Sequence, residues 1–349
     1  MVFRGVVKPG DYPPPKRPQP PYGAIELEIM RGCTLRACFA ASNYPGRRGF
    51  AGLVGLAFHQ TLETAGQLMA GKGSAEEFAR ALGAAFDRTL ENLKAARGPR
   101  DPEPTPQDDE RERAGKARRA LMQWAHWVWG KTRPGGRARV EVELTSRDGR
   151  FRGRVDLAER SETGGVVLID YKAALREELP ERYENQLRFY AWLWHEACNE
   201  WPAKGVIVYP LTGKTYEVAL GPAECEALMR EYRGLVDRAG RYPAEELARP
   251  GEVCKVCEYR PWCEPFWALR RKSPPAGPEF ELGAEGTVLS EAAVQLANGA
   301  VIRLPPAVGR GLPPGERVRL LGFRLRGVGR ERLAEPGAGA EIFIVEGRR

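Results

Sequence analysis

The chain has 349 residues, enough for two or three domains with sizeable cores. Its 42% hydrophobic content and mixed charges exclude a disordered chain, and no apolar run approaches the ~18–20 residues of a membrane span. The net charge of +8 suits a polyanionic partner such as nucleic acid but does not by itself require one. The N-terminus has no signal-peptide h-region, so the expected compartment is the cytoplasm, with no membrane partner. Seven cysteines, an odd number in a reducing compartment, favour metal ligation over disulfides.

Residues 1–22 are rich in proline (Pro13-Pro14-Pro15, Pro20-Pro21) and read as an extended tail. Residues 50–70 and 75–96 read as helices, the second from the spacing of Phe78, Leu82, Ala85, Phe86 and Leu93. Residues 97–112 carry four prolines and many charges, as expected of a mobile linker. Helix resumes near 113–131, where Leu121, Trp124, Val128 and Trp129 form an apolar stripe.

The period then switches from helix to strand. Val140, Val142 and Leu144 alternate with polar neighbours, and residues 151–158 form a second strand. Val166-Val167-Leu168-Ile169 is a continuous apolar run, as in a central strand buried on both faces, and it ends in Asp170. An amphipathic helix over 181–200, strands at 205–209 and 214–220 and a helix over 222–240 complete an α/β core. Beyond Pro274-Pro275, residues 279–349 carry short apolar runs between Gly and Pro, the pattern of a small all-β domain, barrel or sandwich. The domain expectation is therefore a tail at 1–22, a core at 23–273 and a β-rich module at 279–349 that binds nucleic acid or a partner.

Three fragments of the core fit one site: Gly153-Arg154-Val155-Asp156, Ile169-Asp170-Tyr171-Lys172 and Gln186-Leu187-Arg188-Phe189-Tyr190. Phosphodiester hydrolysis uses a metal to polarise the phosphate and activate water. Mg²⁺ takes oxygen ligands, which Asp156 and Asp170 supply. Lys172 lies two residues after Asp170, so on a strand both point to one face, and its ammonium can orient water or stabilise phosphate charge. Tyr171 points the other way. Gln186 and Tyr190 are one helical turn apart and share a face, while Arg188 and Phe189 face elsewhere. Each fragment alone has a bland reading: a solvated strand end, a turn aspartate, a helix-surface pair. His59 in an apolar helix is by itself more often a buried core histidine than a ligand.

Cys254-x2-Cys257-x5-Cys263 places three thiols within ten residues. Close thiols in a reducing compartment are commonly metal ligands. The fourth ligand comes from Cys33 or Cys38, ahead of Cys198 and Cys225, which sit in apolar helical patterns and read as core cysteines. Zn²⁺ and an iron–sulfur cluster both accept four thiolates. Either would close a loop of roughly 220 residues, with a stabilisation that grows with loop length.

Together these features resemble the RecB-like branch of the PD-(D/E)XK nuclease superfamily, specifically its iron–sulfur members, which include AddB-type nuclease domains and CRISPR-associated adaptation exonucleases. The resemblance covers residues 25–268. Its motifs fall on Gly55 and His59, Gly153 and Asp156, Asp170 and Lys172, Gln186 and Tyr190, and Cys254, Cys257 and Cys263. The family's Leu-x-x-Tyr-x-x-Cys segment falls on Leu27 to Cys33, with Met30 in place of tyrosine, which favours Cys33 over Cys38.

The resemblance implies a restriction-endonuclease-like mixed sheet flanked by helices and Mg²⁺- or Mn²⁺-dependent cleavage of DNA, often from a single-stranded end. It also implies a 4Fe–4S cluster on Cys33, Cys254, Cys257 and Cys263, and a metal held by His59, Asp156 and Asp170. Glu141 or Glu143 adds a further carboxylate; strand alternation puts both on one face. The process implied is DNA repair, recombination or defence, with a helicase or nuclease-complex subunit as a further partner. No G-x-x-x-x-G-K-[ST] loop accompanies these motifs. Two other readings compete: a non-catalytic DNA-binding module, and a zinc-stapled structural subunit.

Overall fold

A computed structural model of the protein describes residues 3–7, 15–98, 100–101, 108–132, 137–162, 164–175, 178–272, 283–326 and 331–345. In chain order the elements are β1 (Phe3–Val7), α1 (Ala24–Ala41), α2 (Phe50–Glu63), α3 (Ala65–Met69), α4 (Ala75–Ala95) and α5 (Asp108–Trp129). There follow β2 (Ala138–Thr145), β3 (Arg152–Arg160), β4 (Val166–Tyr171), α6 (Glu181–Cys198), β5 (Lys204–Tyr209), β6 (Lys214–Val218) and α7 (Pro222–Arg241). Three short 3₁₀ turns lead to α8 (Glu264–Lys272), then β7 (Ala284–Ser290), β8 (Ala293–Leu296), β9 (Val301–Arg303), α9 (Pro306–Gly309), β10 (Arg317–Arg326) and β11 (Glu331–Val345).

The chain folds as two compact units. One comprises Pro18–Arg31 and Arg48–Arg238; the other comprises Met1–Arg17, Gly32–Arg47 and Ala239–Arg349. The first holds a five-stranded sheet in the order β2-β3-β4-β5-β6, in which β4 and β5 are parallel and the other pairs antiparallel. Successive β4 side chains face opposite ways. Ile169 and Tyr171 join the apolar cluster of α2, α4 and α5, which includes Phe58, Phe78, Phe86 and Leu121. α4 starts cleanly because Ser74 caps it, its side chain accepting the Glu77 N–H at 3.2 Å. On the opposite face of the sheet α6 packs across β2 to β5. Gly205 admits α6 there: a Cβ at that position would sit 2.8 Å from Leu187.

The second unit holds a sheet in the order β1-β11-β10-β7-β8-β9, which closes on itself because β9 also pairs in parallel with β11. Val288, Val294, Ile302, Val318, Leu320 and Phe323 fill its interior. Outside the wall, Leu321, Phe343 and Val7 pack with Trp267 and Cys254. Arg319 is buried beside them. Its guanidinium donates to Glu285 at 2.7 Å, to Glu264 at 2.6 Å and to the Pro261 carbonyl at 2.5 Å. A buried guanidinium with this many acceptors is stable only as a complete set, so the barrel wall and the cysteine-bearing segment are joined by charge as well as by apolar contact.

Several expectations change. The proline-rich start is not all tail, since Phe3–Val7 pairs in parallel with Glu341–Val345; Pro13 and Pro14 lie outside the described residues. The expected 50–70 helix breaks at Thr64 into α2 and α3. α5 begins at Asp108 rather than near 113, and residues 102–107 of the expected linker lie outside the described residues, as do Pro274 and Pro275. The strand expected over 214–220 stops at Val218. Cys198 is exposed at the end of α6 rather than in the core, whereas Cys225 is fully buried. No helix among the described residues is long and apolar enough to cross a membrane.

Candidate active site

The site is built where the β3–β4 ladder gives out. Pairing runs from Arg160 opposite Val166 to Leu157 opposite Ile169 and stops there. Asp156 fills the gap with its side chain: Oδ2 accepts the Tyr171 backbone N–H at 2.7 Å. Asp170, one residue beyond the last pair, is 1% exposed. Its Oδ2 lies 2.6 Å from Lys172 Nζ, yet it accepts no hydrogen bond of proper geometry. Lys172 Nζ donates to Gln186 Oε1 at 2.7 Å, and Gln186 Nε2 donates to the Tyr190 hydroxyl at 2.7 Å. The Tyr183 ring lies 4.7 Å from the same ammonium. Asp170, Lys172, Gln186 and Tyr190 thus form one buried polar chain from β4 to α6, with Asp156 beside it. Tyr171 points away, edge-on to Trp124 at 6.1 Å. Arg188 pairs with Glu184 and Phe189 packs against Phe151, so both face elsewhere.

Gly153 is a spacer within β3 rather than a turn residue. A Cβ there would stand 2.7 Å from the Tyr190 ring and 3.0 Å from Leu193. Gly153→Ala is therefore expected to push Tyr190 off Gln186 and to destabilise the protein by about 1–3 kcal/mol, the usual cost of overpacking. A denaturant midpoint unchanged from wild type would contradict it. Gly55 has open space around it, and nothing in the structure explains its place in the motif.

Electrostatics set this region apart. Burial, and then the neighbouring Asp170 carboxylate, push Asp156 well above the usual carboxylate range. Burial pushes Glu141 up to about 7 against the pull of Arg154, with Glu63 and Asp170 adding to the rise. Burial, then the Lys172 charge, lowers His59 to about 4, so the imidazole is neutral near pH 7 and able to ligate. Carboxylates that are buried close together and resist ionisation suit a cation site. Even so, among the described residues no group of three His, Cys, Asp or Glu side chains is already closed to metal-holding geometry.

Glu141 and Glu143 part company here. Glu141 has φ +53°, outside the strand range, so the expected alternation fails at this residue. Such a conformation costs on the order of 1–3 kcal/mol outside glycine and tends to mark functional sites. Glu141 is half-buried and takes Arg154 Nε at 2.9 Å, whereas Glu143 is exposed. Arg154 also pairs with Glu63, one helical turn after His59 on α2. Glu63 is absent from the motif reading, and Arg154 stands in the Gly153–Asp156 fragment without a role. The signal for Glu63 is its i+4 spacing from His59; for Arg154 it is its i−2 spacing from Asp156.

A family model described as the PD-(D/E)XK nuclease superfamily matches residues 26–264. The chain belongs to the PD-(D/E)XK nuclease superfamily. The matched span contains both carboxylate strands and all three of Cys254, Cys257 and Cys263, and it ends before the closed β-barrel. Superfamily membership carries metal-dependent nuclease activity, typically with Mg²⁺ or Mn²⁺, as the expected chemistry. No curated protein matches the chain. The crystal structure of SSO0001 aligns at 16% identity over 68% of this chain and 94% of that one, with a TM-score of 0.27.

In the other unit of this superfamily member, Cys33, Cys254, Cys257 and Cys263 line one cavity with Arg36, Phe39 and Phe266. Cys33 reaches it because α1 breaks at that residue (φ −163°, ψ 110°). Cys38 is fully buried and is not part of the lining. The Arg249 N–H points at Cys33 Sγ at 3.5 Å and the Gly251 N–H at Cys254 Sγ at 3.4 Å. Burial pushes the Cys257 thiol up to about 11 and Cys263 to about 12, so the thiolates need a cation to form. Four thiols around one cavity, two of them with backbone N–H donors, fit a four-thiolate metal centre by donor type.

Proposed function

We propose that the protein is a metal-dependent deoxyribonuclease acting on single-stranded DNA ends, in DNA repair, recombination or defence. The observation that carries this reading is the buried chain Asp170–Lys172–Gln186–Tyr190 beside Asp156, which holds two carboxylates and an ammonium together at the end of β4. Asp156, Asp170 and the neutral His59 would hold Mg²⁺ or Mn²⁺, with Glu141 as the additional carboxylate. The metal, when bound, supplies Lewis acidity and an activated water. Lys172 is the only cation directly on Asp170 among the described residues. Gln186 holds its ammonium from α6, and Tyr190 holds Gln186, so the charge is aimed before substrate arrives. The four cavity cysteines support a 4Fe–4S cluster, with Zn²⁺ as the alternative, and four-thiolate ligation of this kind suits the reducing cytoplasm. A helicase or nuclease-complex subunit is the protein partner this reading suggests.

The test is cleavage of end-labelled single- and double-stranded DNA by anaerobically purified protein with Mg²⁺, Mn²⁺ or EDTA. A ladder that needs metal and favours single strands is expected, and its direction gives the polarity. Intact DNA under all conditions would reject the reading for the isolated chain. The two glutamates offer a sharper contrast. Glu141→Gln should lower cleavage by ~10-fold or more, as loss of a charge-stabilising group at a catalytic site does. Glu143→Gln should stay near wild type. Equal activities would remove Glu141 from the site.

A further inference from the structure

The closed barrel has a strand plan with functional meaning. Counting β7, β8, β9, β10 and β11 as strands one to five, pairing runs one-two, two-three, three-five, five-four and four-one. The three-five pair is parallel, and the short helix α9 lies between strands three and four. That is the plan of the oligonucleotide/oligosaccharide-binding barrel, whose ligands lie across strands two and three. A fold plan alone does not assign a ligand, and strand two (Ala293–Leu296) carries no charged side chain, so the exposed side chains of the whole wall decide.

Arginine predominates there. Among the described residues of these five strands the exposed charged side chains are Arg303, Arg317, Arg324 and Arg326, with the Glu335 carboxylate beside Arg326. The register aligns two of them. Leu333 on β11 is opposite Arg303 of β9 on one side and Arg326 of β10 on the other. Leu333 is itself 43% exposed. Arg326, Leu333 and Arg303 therefore form a row across three strands, with the arginines two strand spacings, about 9.5 Å, apart. Arg326 pairs with Glu335 at 2.7 Å, but both groups are solvent-exposed, and such pairs contribute little and exchange readily for phosphate.

The aromatic side chains of these five strands, Phe323 and Phe343, are both buried. Base stacking on aromatic rings, the usual second component of single-strand binding, has no platform among the described residues of these strands. We infer that the C-terminal barrel is a single-stranded DNA-binding module that grips the phosphate backbone through the Arg303–Leu333–Arg326 row, without reading bases. The choice of a single strand follows from shape. Duplex grooves admit an α-helix or a two-stranded ribbon, whereas this row runs across a sheet face. The choice of DNA rests on the nuclease reading; the barrel plan and its charge do not.

Full-length protein carrying Asp170→Ala, in EDTA, separates binding from cleavage, so a failure of the nuclease reading leaves this test intact. Anisotropy with fluorescent oligo-dT of ~16 nucleotides, the upper site size of one such barrel, reads affinity against salt. Arg303→Glu with Arg326→Glu should weaken binding about tenfold or more at low salt. It should also flatten the log-affinity against log-salt slope by about 1.4, the loss of two phosphate contacts on a single strand. Arg303→Gln with Arg326→Gln is the second pair, used if charge reversal lowers the melting temperature. A mixed-sequence oligonucleotide of equal length should bind as oligo-dT does. Wild-type affinity in a folded double variant would overturn the assignment. So would tighter binding of duplex DNA or RNA than of the single strand.

Discussion

Asp170→Ala is expected to reduce cleavage by ~10³-fold or more while the protein stays folded and keeps its DNA affinity within a few fold. The carboxylate lies 2.6 Å from the Lys172 ammonium and close enough to Asp156 to disfavour its ionisation, and in the proposed site it is a metal ligand. Removing it leaves Lys172 supported by Gln186 at 2.7 Å and by the Tyr183 ring at 4.7 Å. It also removes the carboxylate that disfavours ionisation of Asp156. The fold therefore loses an attraction and a repulsion together, and only the chemistry loses without compensation. Undiminished cleavage by the purified variant would sink the site assignment. A variant that unfolds would show instead that Asp170 is mainly structural.

Cys257→Ala is expected to strip the metal and cost on the order of 5 kcal/mol of stability, because ligand binding and folding are one equilibrium in four-thiolate sites. Protein loaded with an iron–sulfur cluster is coloured, whereas zinc is spectroscopically silent, so metal analysis and visible absorbance of wild type and variant identify the centre. The cavity makes a finer distinction between the two candidate ligands on α1. Cys33→Ala should lose metal as Cys257→Ala does, since Cys33 lines the cavity, whereas Cys38→Ala should retain it. Metal content unchanged in Cys257→Ala would rule out the four-thiolate centre. Loss in Cys38→Ala with retention in Cys33→Ala would reverse the ligand choice.

The main elements of the nuclease unit are legible from periodicity because their burial is periodic. Val166 to Ile169 reads as a doubly buried strand, and α6 on one face and the α2–α4–α5 cluster on the other bury it. Gln186 and Tyr190 share a helix face by spacing alone, and they do bond to each other. α1 escapes such reading because the helix breaks at Cys33, so its two halves need not bury one continuous stripe. β1 escapes because five residues carry too little pattern; its place is set by parallel pairing with β11, more than 330 residues away in the chain.

The sequence by itself determined the chemistry on offer: two carboxylates and a lysine at the end of an apolar strand, a polar pair one turn apart, and a thiol triplet. These are local facts, set by strand and helix periods. The tertiary structure decided which groups meet. It gave Glu141 a positive φ that no periodicity encodes and left Glu143 exposed, paired Arg154 with both Glu63 and Glu141, and put Cys33 rather than Cys38 at the cavity. It also made Gly153 a spacer for Tyr190 and closed the C-terminal strands into a barrel through the β9–β11 pair. The physical reason is common to all of these: each depends on contacts between segments far apart in the chain, where close packing and register, not residue type, select the partner.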